Sequence, residues 1–318
     1  MTLKKITHSL AASALALSLT TLPALAEWAP SGPIKLLIGF GAGGGTDTQA
    51  RALAGEIENR KGWRIIPENM AGAGGAVMAA NLKDQPADGL TVGLALDATF
   101  SFASIDNDNL NIDDFTYITT TAASQTGVIA RADSGWTTMA DVAAAVQGGQ
   151  KIVWNNYSAQ TQLASEVIAD KLGIDVNHVR GKGGKSGVNA LVAEDANLAW
   201  GGGAQRGLVQ AGELVILLSA EDKPLVQNPE GQTVAELGID TTFGFKFVLA
   251  APAGLSDEAR DALAQAVADV ITDETSETAQ FIAKQYPPAA VVIQGDDLNK
   301  TLQAQLAANE MLLNKFSQ

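Results

Sequence analysis

The sequence contains no cysteine and only two histidines. The first absence excludes disulfides, thiolate metal centres, a cysteine nucleophile and a lipid-modified N-terminal cysteine. The second leaves little for acid–base chemistry. His8 falls in an N-terminal leader, so His178 is the one histidine a processed chain keeps. It ends an apolar strand with no triad or metal partner readable nearby, and reads as a packing or capping residue. Asp106, Asp108, Asp113 and Asp114 are acid-rich but lack the glycine and closing Glu of a calcium loop, so a solvated turn is expected there. No His/carboxylate cluster has metal-ligand spacing, and no metal or cofactor is expected. Basic residues are also scarce: 21 Lys and Arg face 35 Asp and Glu, for a formal charge of −14. Nucleic-acid binding, which draws most of its affinity from phosphate neutralisation, is excluded on that balance. An anionic ligand would get no help from the overall field and must be held by local donors.

Long apolar runs are missing too, apart from the first 26 residues. There Lys4 and Lys5 precede an apolar stretch from Leu10 to Leu22, and Ala24-Leu25-Ala26 supplies a small-x-small cleavage pattern. This reads as a secretory signal cleaved after Ala26, since the stretch falls short of the ~20 residues that span a bilayer. A periplasmic chain is expected, long enough for two medium lobes.

What is present is an alternation of strand and helix signals, which predicts an α/β architecture. Strands are expected at Pro33–Phe40, Trp63–Pro67, Thr91–Leu96, Thr126–Arg131, Lys151–Trp154, Val176–Val179, Asn197–Trp200 and Phe245–Ala250. Helices are expected at Thr46–Arg60, Gly75–Lys83, Thr138–Val146, Thr161–Leu172, Ser186–Glu194 and Asp296–Phe316. The Thr46–Arg60 segment carries Ala50, Leu53, Ala54 and Ile57 at i, i+3, i+4 and i+7. Ser256-Asp257-Glu258 begins a further Ala-rich helix, with a capping hydroxyl and acids at its positive end.

Three glycine-rich segments stand between a strand and a helix: Gly39–Asp47, Glu68–Gly75 and Arg180–Gly187. Glycine lets the backbone approach a ligand and permits the positive φ that turns N–H groups inward. At a helix start those N–H groups lack partners and the dipole favours an anion. Strand-to-helix loops are also where open α/β sheets bind ligands. Two such loops on neighbouring strands would cradle one carboxylate.

A dinucleotide-dependent enzyme is the main rival. Gly39-x-Gly41-x-x-Gly44 matches the nucleotide fingerprint, and Glu68 ends the next strand. The export signal and the second glycine loop directly after Glu68 weigh against it. A phosphate-binding P-loop is excluded at Gly184-Lys185-Ser186, because Val179 stands where the leading glycine must be.

At these residues the sequence resembles the substrate receptors of the tripartite tricarboxylate transporters, the Bug-type binding proteins. The family's strand, Pro-Gly-Gly-Gly-Thr-Asp and Ala-Arg pattern appears as Phe40-Gly41-Ala42-Gly43-Gly44-Gly45-Thr46-Asp47, then Ala50-Arg51. Its Glu-Asn-Arg-Pro-Gly-Ala-Gly-Gly becomes Glu68-Asn69-Met70-Ala71-Gly72-Ala73-Gly74-Gly75, and Pro-Asp-Gly-Tyr-Thr is echoed by Ala87-Asp88-Gly89-Leu90-Thr91. Weaker echoes are His178-Val179, Gln210–Leu214, Thr233–Gly238 and Ala251–Gly254. Ala42 replaces the family proline, Met70-Ala71 replaces Arg-Pro, and Arg180-Gly181 stands where Pro-Tyr is usual.

The resemblance implies a two-lobed periplasmic-binding-protein fold of the type II flytrap kind, with a ligand cleft between lobes. Residues 27–121 and 246–318 would form one lobe and 122–245 the other. It implies a monomeric receptor, not an enzyme, that delivers a di- or tricarboxylate to the membrane subunits of a tripartite transporter. A ligand-sensing partner of a sensor kinase is the alternative consequence. Phe40, Ala42, Gly43, Gly44, Gly45 and Thr46 with Ala71, Gly72, Ala73 and Gly74 would cradle the proximal carboxylate, with Asp47 as helix cap and loop organiser. Asn155, Ser158, Gln160, Lys182, Lys185 and Ser186 are the expected contacts at the distal end, where the two lysines would read a second anionic group.

Overall fold

A computed structural model describes residues 28–287 and 290–316. The expected leader, residues 1–26, lies outside them. From the N-terminus, β1 (Ile34–Ile38), α1 (Gly45–Lys61), β2 (Ile65–Asn69), α2 (Ala76–Leu82) and β3 (Thr91–Leu96) make three parallel strands joined by crossover helices. Two short helices, α3 (Asp97–Ser101) and α4 (Ala103–Asp106), lead to the ten-residue β4 (Phe115–Ser124). A second run follows: β5 (Gly127–Arg131), α5 (Met139–Gln147), β6 (Ile152–Asn156), α6 (Ala159–Leu172), β7 (Val176–Arg180), α7 (Gly184–Val192) and β8 (Leu198–Gly201). It closes with α8 (Arg206–Gln210) and β9 (Leu214–Ser219). The chain returns through β10 (Phe245–Pro252) and ends in α9 (Asp257–Ile271), α10 (Glu277–Gln285) and α11 (Gly295–Phe316).

These strands form two five-stranded sheets, ordered β2-β1-β3-β10-β4 and β7-β6-β8-β5-β9. Each has the same plan. In each, one strand runs against the other four: β10, between β3 and β4, in the first sheet and β5, between β8 and β9, in the second. The α/β class expected from the alternation is therefore found. The chain passes from one sheet to the other between β4 and β5, and returns between β9 and β10.

Local chemistry explains the elements that position the cleft. The apolar run Ile34-Lys35-Leu36-Leu37-Ile38 makes a strand paired on both edges. α1 stops at Gly62, which takes the left-handed conformation (φ 70°) and donates its N–H to Glu58 O. α2 lies so close to β3 that a Cβ on Gly93 would meet Met78 Sδ at 2.6 Å and Leu82 Cδ2 at 2.8 Å. Ser256 Oγ accepts the Ala259 N–H at 3.3 Å and caps α9, as its sequence implies.

Differences from expectation have local causes. β2 starts two residues later than expected, because Trp63 turns away to meet Trp28 edge-on at 5.7 Å. β4, β9 and α10 have no counterpart among the expected elements. β4 escapes notice because threonines interrupt its apolar letters; Thr119, Thr120 and Thr121 are all buried, with Thr121 Oγ1 donating to Gln49 Oε1 at 2.9 Å.

Candidate ligand-binding cleft

The first glycine loop joins β1 to α1, and Asp47 organises it from inside the helix rather than from the cap position. The N-cap is Gly44, which has no side-chain capping bond. Asp47, three residues on, reaches back: its Oδ2 accepts the Gly43 N–H at 2.8 Å. Its Oδ1 accepts from Arg51 Nε and from Asn69 Nδ2, each at 2.8 Å. Asn69 Nδ2 also donates to Phe40 O at 3.1 Å, and Arg51 Nη2 to Asn69 Oδ1 at 2.8 Å, so the network ties the loop to the end of β2. Burial alone would raise the Asp47 pKa, but the donors from Gly43, Asn69 and Arg51 outweigh it and hold the carboxyl below its ordinary value. With its oxygens already engaged, Asp47 supports the loop and presents no charge to a ligand. The first intrahelical bond runs from Thr48 N–H to Gly44 O at 2.9 Å. The amides of Gly45, Thr46 and Asp47 are the open ones at the positive end of α1.

The third loop, between β7 and α7, is organised the same way by Ser186. Its Oγ accepts the Lys182 N–H at 2.7 Å and donates to Gly183 O at 2.7 Å. Asn155 lies beneath; a Cβ on Gly181 would stand 2.5 Å from both Asn155 Oδ1 and Ser186 Oγ. Loops one and three face each other. Gly183, at φ 135°, lies against Phe40, and a Cβ on Gly43 would come within 2.8 Å of Lys185 Nζ. Neither Lys182 nor Lys185 has an ion-pair partner among the described residues.

Between these loops lies a cavity of about 400 Å³. Loop one supplies Phe40, Gly41, Ala42, Gly44, Gly45 and Thr46; loop three supplies Lys182 to Ser186. Leu96, Tyr157, Asn189, Gly202, Ala204, Phe245, Phe247 and Tyr286 complete the wall. None of these eight is among the expected contacts. Phe245 and Phe247 were visible in principle, as alternate aromatics on one strand, whereas Tyr286 lies far along the chain with no local signal. Tyr157 and Tyr286 are each more than nine-tenths buried. Burial raises both phenol pKa values, and neither hydroxyl has a hydrogen-bond partner among the described residues. Both residues line the cavity and neither hydroxyl is sealed off, so each can bond what fills it.

The second loop does not share this cavity, and the expected single cradle of loops one and two is not what the geometry presents. Gly72, Ala73, Gly74 and Gly75 all have positive φ, from 46° at Ala73 to 155° at Gly72. This bend carries Ala73 and Gly74 to a separate pocket of about 170 Å³ with Ser158 and Gln160. Tyr157 divides the two spaces: its ring meets Phe40 edge-on at 6.4 Å, while the next residue, Ser158, lines the second pocket and caps α6. Gly43, Asp47, Ala71, Gly72 and Asn155 line neither space.

Two other groups stand apart from the cavity wall. His178 Nδ1 lies 3.0 Å from Asn156 Nδ2 and 3.3 Å from Ser165 Oγ, and burial lowers its pKa, which fits a packing role. Asp97 is almost wholly buried where β3 meets α3. It accepts N–H bonds from Lys246 at 3.0 Å and Ala98 at 2.9 Å, yet burial pushes its pKa up to about 6. Among the described residues, no group of acids and histidines could hold a metal ion, and no helix is long and apolar enough to cross a membrane.

Comparison with known proteins places the chain. The profile of the tripartite tricarboxylate transporter family receptors matches residues 49–317. The chain belongs to this family. It is a family of substrate receptors, not of enzymes. A relative from Cupriavidus necator, the UPF0065 protein in the gbd 5' region, is 30% identical over 251 residues, covering 77% of each chain. Among solved structures, the periplasmic binding protein BugD superposes with a TM-score of 0.80 at 21% identity, covering 90% of this chain and 98% of that one. MatC from Rhodopseudomonas palustris, solved with bound malate, gives 0.78 at 20% identity, covering 89% and 99%. The receptor thus has the two-lobed periplasmic-binding-protein fold that the resemblance implied.

Proposed function

We propose that this receptor captures a small organic carboxylate in the periplasm and delivers it to the membrane subunits of a tripartite transporter. The observation that carries the reading is the facing of loops one and three across the main cavity. Open amides of α1 meet two unpaired lysines in a chain whose net charge is −14. Donors so placed favour an anion where the global field does not. Charge-assisted hydrogen bonds contribute roughly 1.5–3 kcal/mol each. Three or four of them, less the cost of capture, suit micromolar affinity near −8 kcal/mol. The malate held by MatC is in keeping with this chemistry.

In this reading the carboxylate lies against Gly44, Gly45 and Thr46, with Lys185 closing over it from the other lobe. Residues 27–121 and 246–318 form one lobe and 122–245 the second, with hinges where the chain crosses between the sheets. The mature protein begins at Glu27 and acts as a monomer. The test is calorimetry of the mature protein against a panel of organic acids and their amides. Saturable micromolar binding of an acid, lost in Lys185→Met, is expected. Equal binding of acid and amide, or no loss in the variant, overturns the reading. Loss of uptake of the same acid in a deletion strain tests the transport role.

A further inference from the structure

Donors gather at the start of α1, and aromatic rings line much of the remaining wall of the main cavity. Lys185, expected at the far end, has its Nζ only 2.8 Å from the position a Cβ on Gly43 would take, beside the start of α1. Tyr286 Oη reaches the same place from another direction, 1.7 Å from the position of a Cβ on Gly45. Lys182, the other cation of the wall, stands on the same loop as Lys185. Amides, the Lys185 ammonium and the Tyr286 phenol therefore stand together at the start of α1, where one anionic head fits.

Much of the remaining wall is apolar, with Asn189 also lining it. Phe245 and Phe247 are two residues apart and share one face of β10. Their rings meet edge-on at 5.4 Å, and Phe247 meets Tyr286 at 4.8 Å. Leu96 and Phe40 extend this surface. At the Tyr157 side the ionisable neighbours are carboxyls, Asp97 and Glu221. Asp97 has Lys246 Nζ at 4.0 Å, and Glu221 Oε1 accepts the Thr126 N–H at 2.9 Å. Lys182 and Lys185, both on loop three, are the cations that line the cavity, and none stands among the β10 and Tyr286 residues of its wall.

We propose that the ligand is an aromatic monocarboxylate, its carboxylate at the start of α1 and its ring against Phe247, Phe245 and Leu96. This rests on the carboxylate reading above and narrows it away from short di- and tricarboxylates. Ring edges and faces on the wall favour a flat aromatic body over a saturated one of equal size.

The mature full-length protein should be titrated calorimetrically with benzoate, 4-hydroxybenzoate, benzamide, cyclohexanecarboxylate, succinate and citrate. At least one of the two aromatic acids should bind tenfold or more tighter than succinate, citrate and cyclohexanecarboxylate. Phe247→Leu, which keeps an apolar side chain in place, should weaken that aromatic acid at least fivefold. Tighter binding of succinate or citrate overturns the aromatic assignment while leaving the carboxylate reading intact. Cyclohexanecarboxylate binding as well as benzoate overturns the ring preference. Benzamide binding as well as benzoate overturns the carboxylate reading instead. Binding of none of the six overturns both.

Discussion

Asp47 accepts hydrogen bonds from Gly43, Arg51 and Asn69 while nearly excluded from water. Asp47→Ala removes the acceptor these donors share, while Asn69 Nδ2 keeps Phe40 O and the exposed Arg51 can turn to water. A loss of about 1 kcal/mol in urea denaturation is expected, with weakened ligand binding. Asp47→Asn, which retains one acceptor oxygen, should lose less. Gly45 offers a sharper test of the cavity. It begins α1, where alanine is compatible with the backbone, yet a Cβ there would stand 1.7 Å from Tyr286 Oη and 3.0 Å from Tyr286 Cζ. Gly45→Ala should cost about 1–3 kcal/mol by overpacking and abolish ligand binding. Adding Tyr286→Phe removes the clashing oxygen, so the double variant should regain stability but not affinity. A double variant as unstable as Gly45→Ala would show that the clash lies elsewhere.

Where β3 runs into α3, Asp97 gives the first sheet a pH dependence of its own. Its folded pKa of about 6 lies above the ordinary 3.8, chiefly through burial. Between those values the folded state binds more protons than the unfolded one, so this group makes stability fall as pH rises from about 4 to 6, then stay level. Asp47, Asp141 and Asp273, whose pKa values are lowered, act oppositely, losing stability as pH falls through the acid range. The difference between wild type and Asp97→Asn isolates the single group. It should change by roughly 2–3 kcal/mol across that window, measured as urea midpoints at several pH values. A constant difference would mean that Asp97 is not titrating there. Elements like β3 and α9 were legible because an apolar run or a serine cap states them locally. β4 was not, since threonine hydroxyls satisfied inside the sheet read as polar letters. Loops one and three were legible as glycines with donors. The aromatic wall was not, because Phe245, Phe247 and Tyr286 meet these loops only after the chain has crossed back from the second sheet.

Across the whole molecule, the two sheets are joined by two chain crossings, and loop contacts over the cleft also bridge them. One such contact is tight: a Cβ on Gly74 of loop two would stand 2.6 Å from Ser158 Cβ at the cap of α6. Two-lobed receptors close by hinge motion about such crossings, so the closed form should hold Gly74 and Ser158 in this contact while loops one and three cover the ligand. Gly74 has φ 66° and ψ 22°, in the left-handed region where asparagine is the non-glycine residue best tolerated. Gly74→Asn therefore adds a wedge with little backbone strain, and stability should fall by no more than about 1 kcal/mol. The closed form is what the wedge opposes. With a bound carboxylate, small-angle scattering of the wild type should show a smaller radius of gyration than without it. In Gly74→Asn the radius should not respond, and affinity should drop at least tenfold although every group lining the main cavity is intact. A variant that binds and compacts like wild type would show that the Gly74–Ser158 contact plays no part in closure, and would leave loops one and three to do it alone.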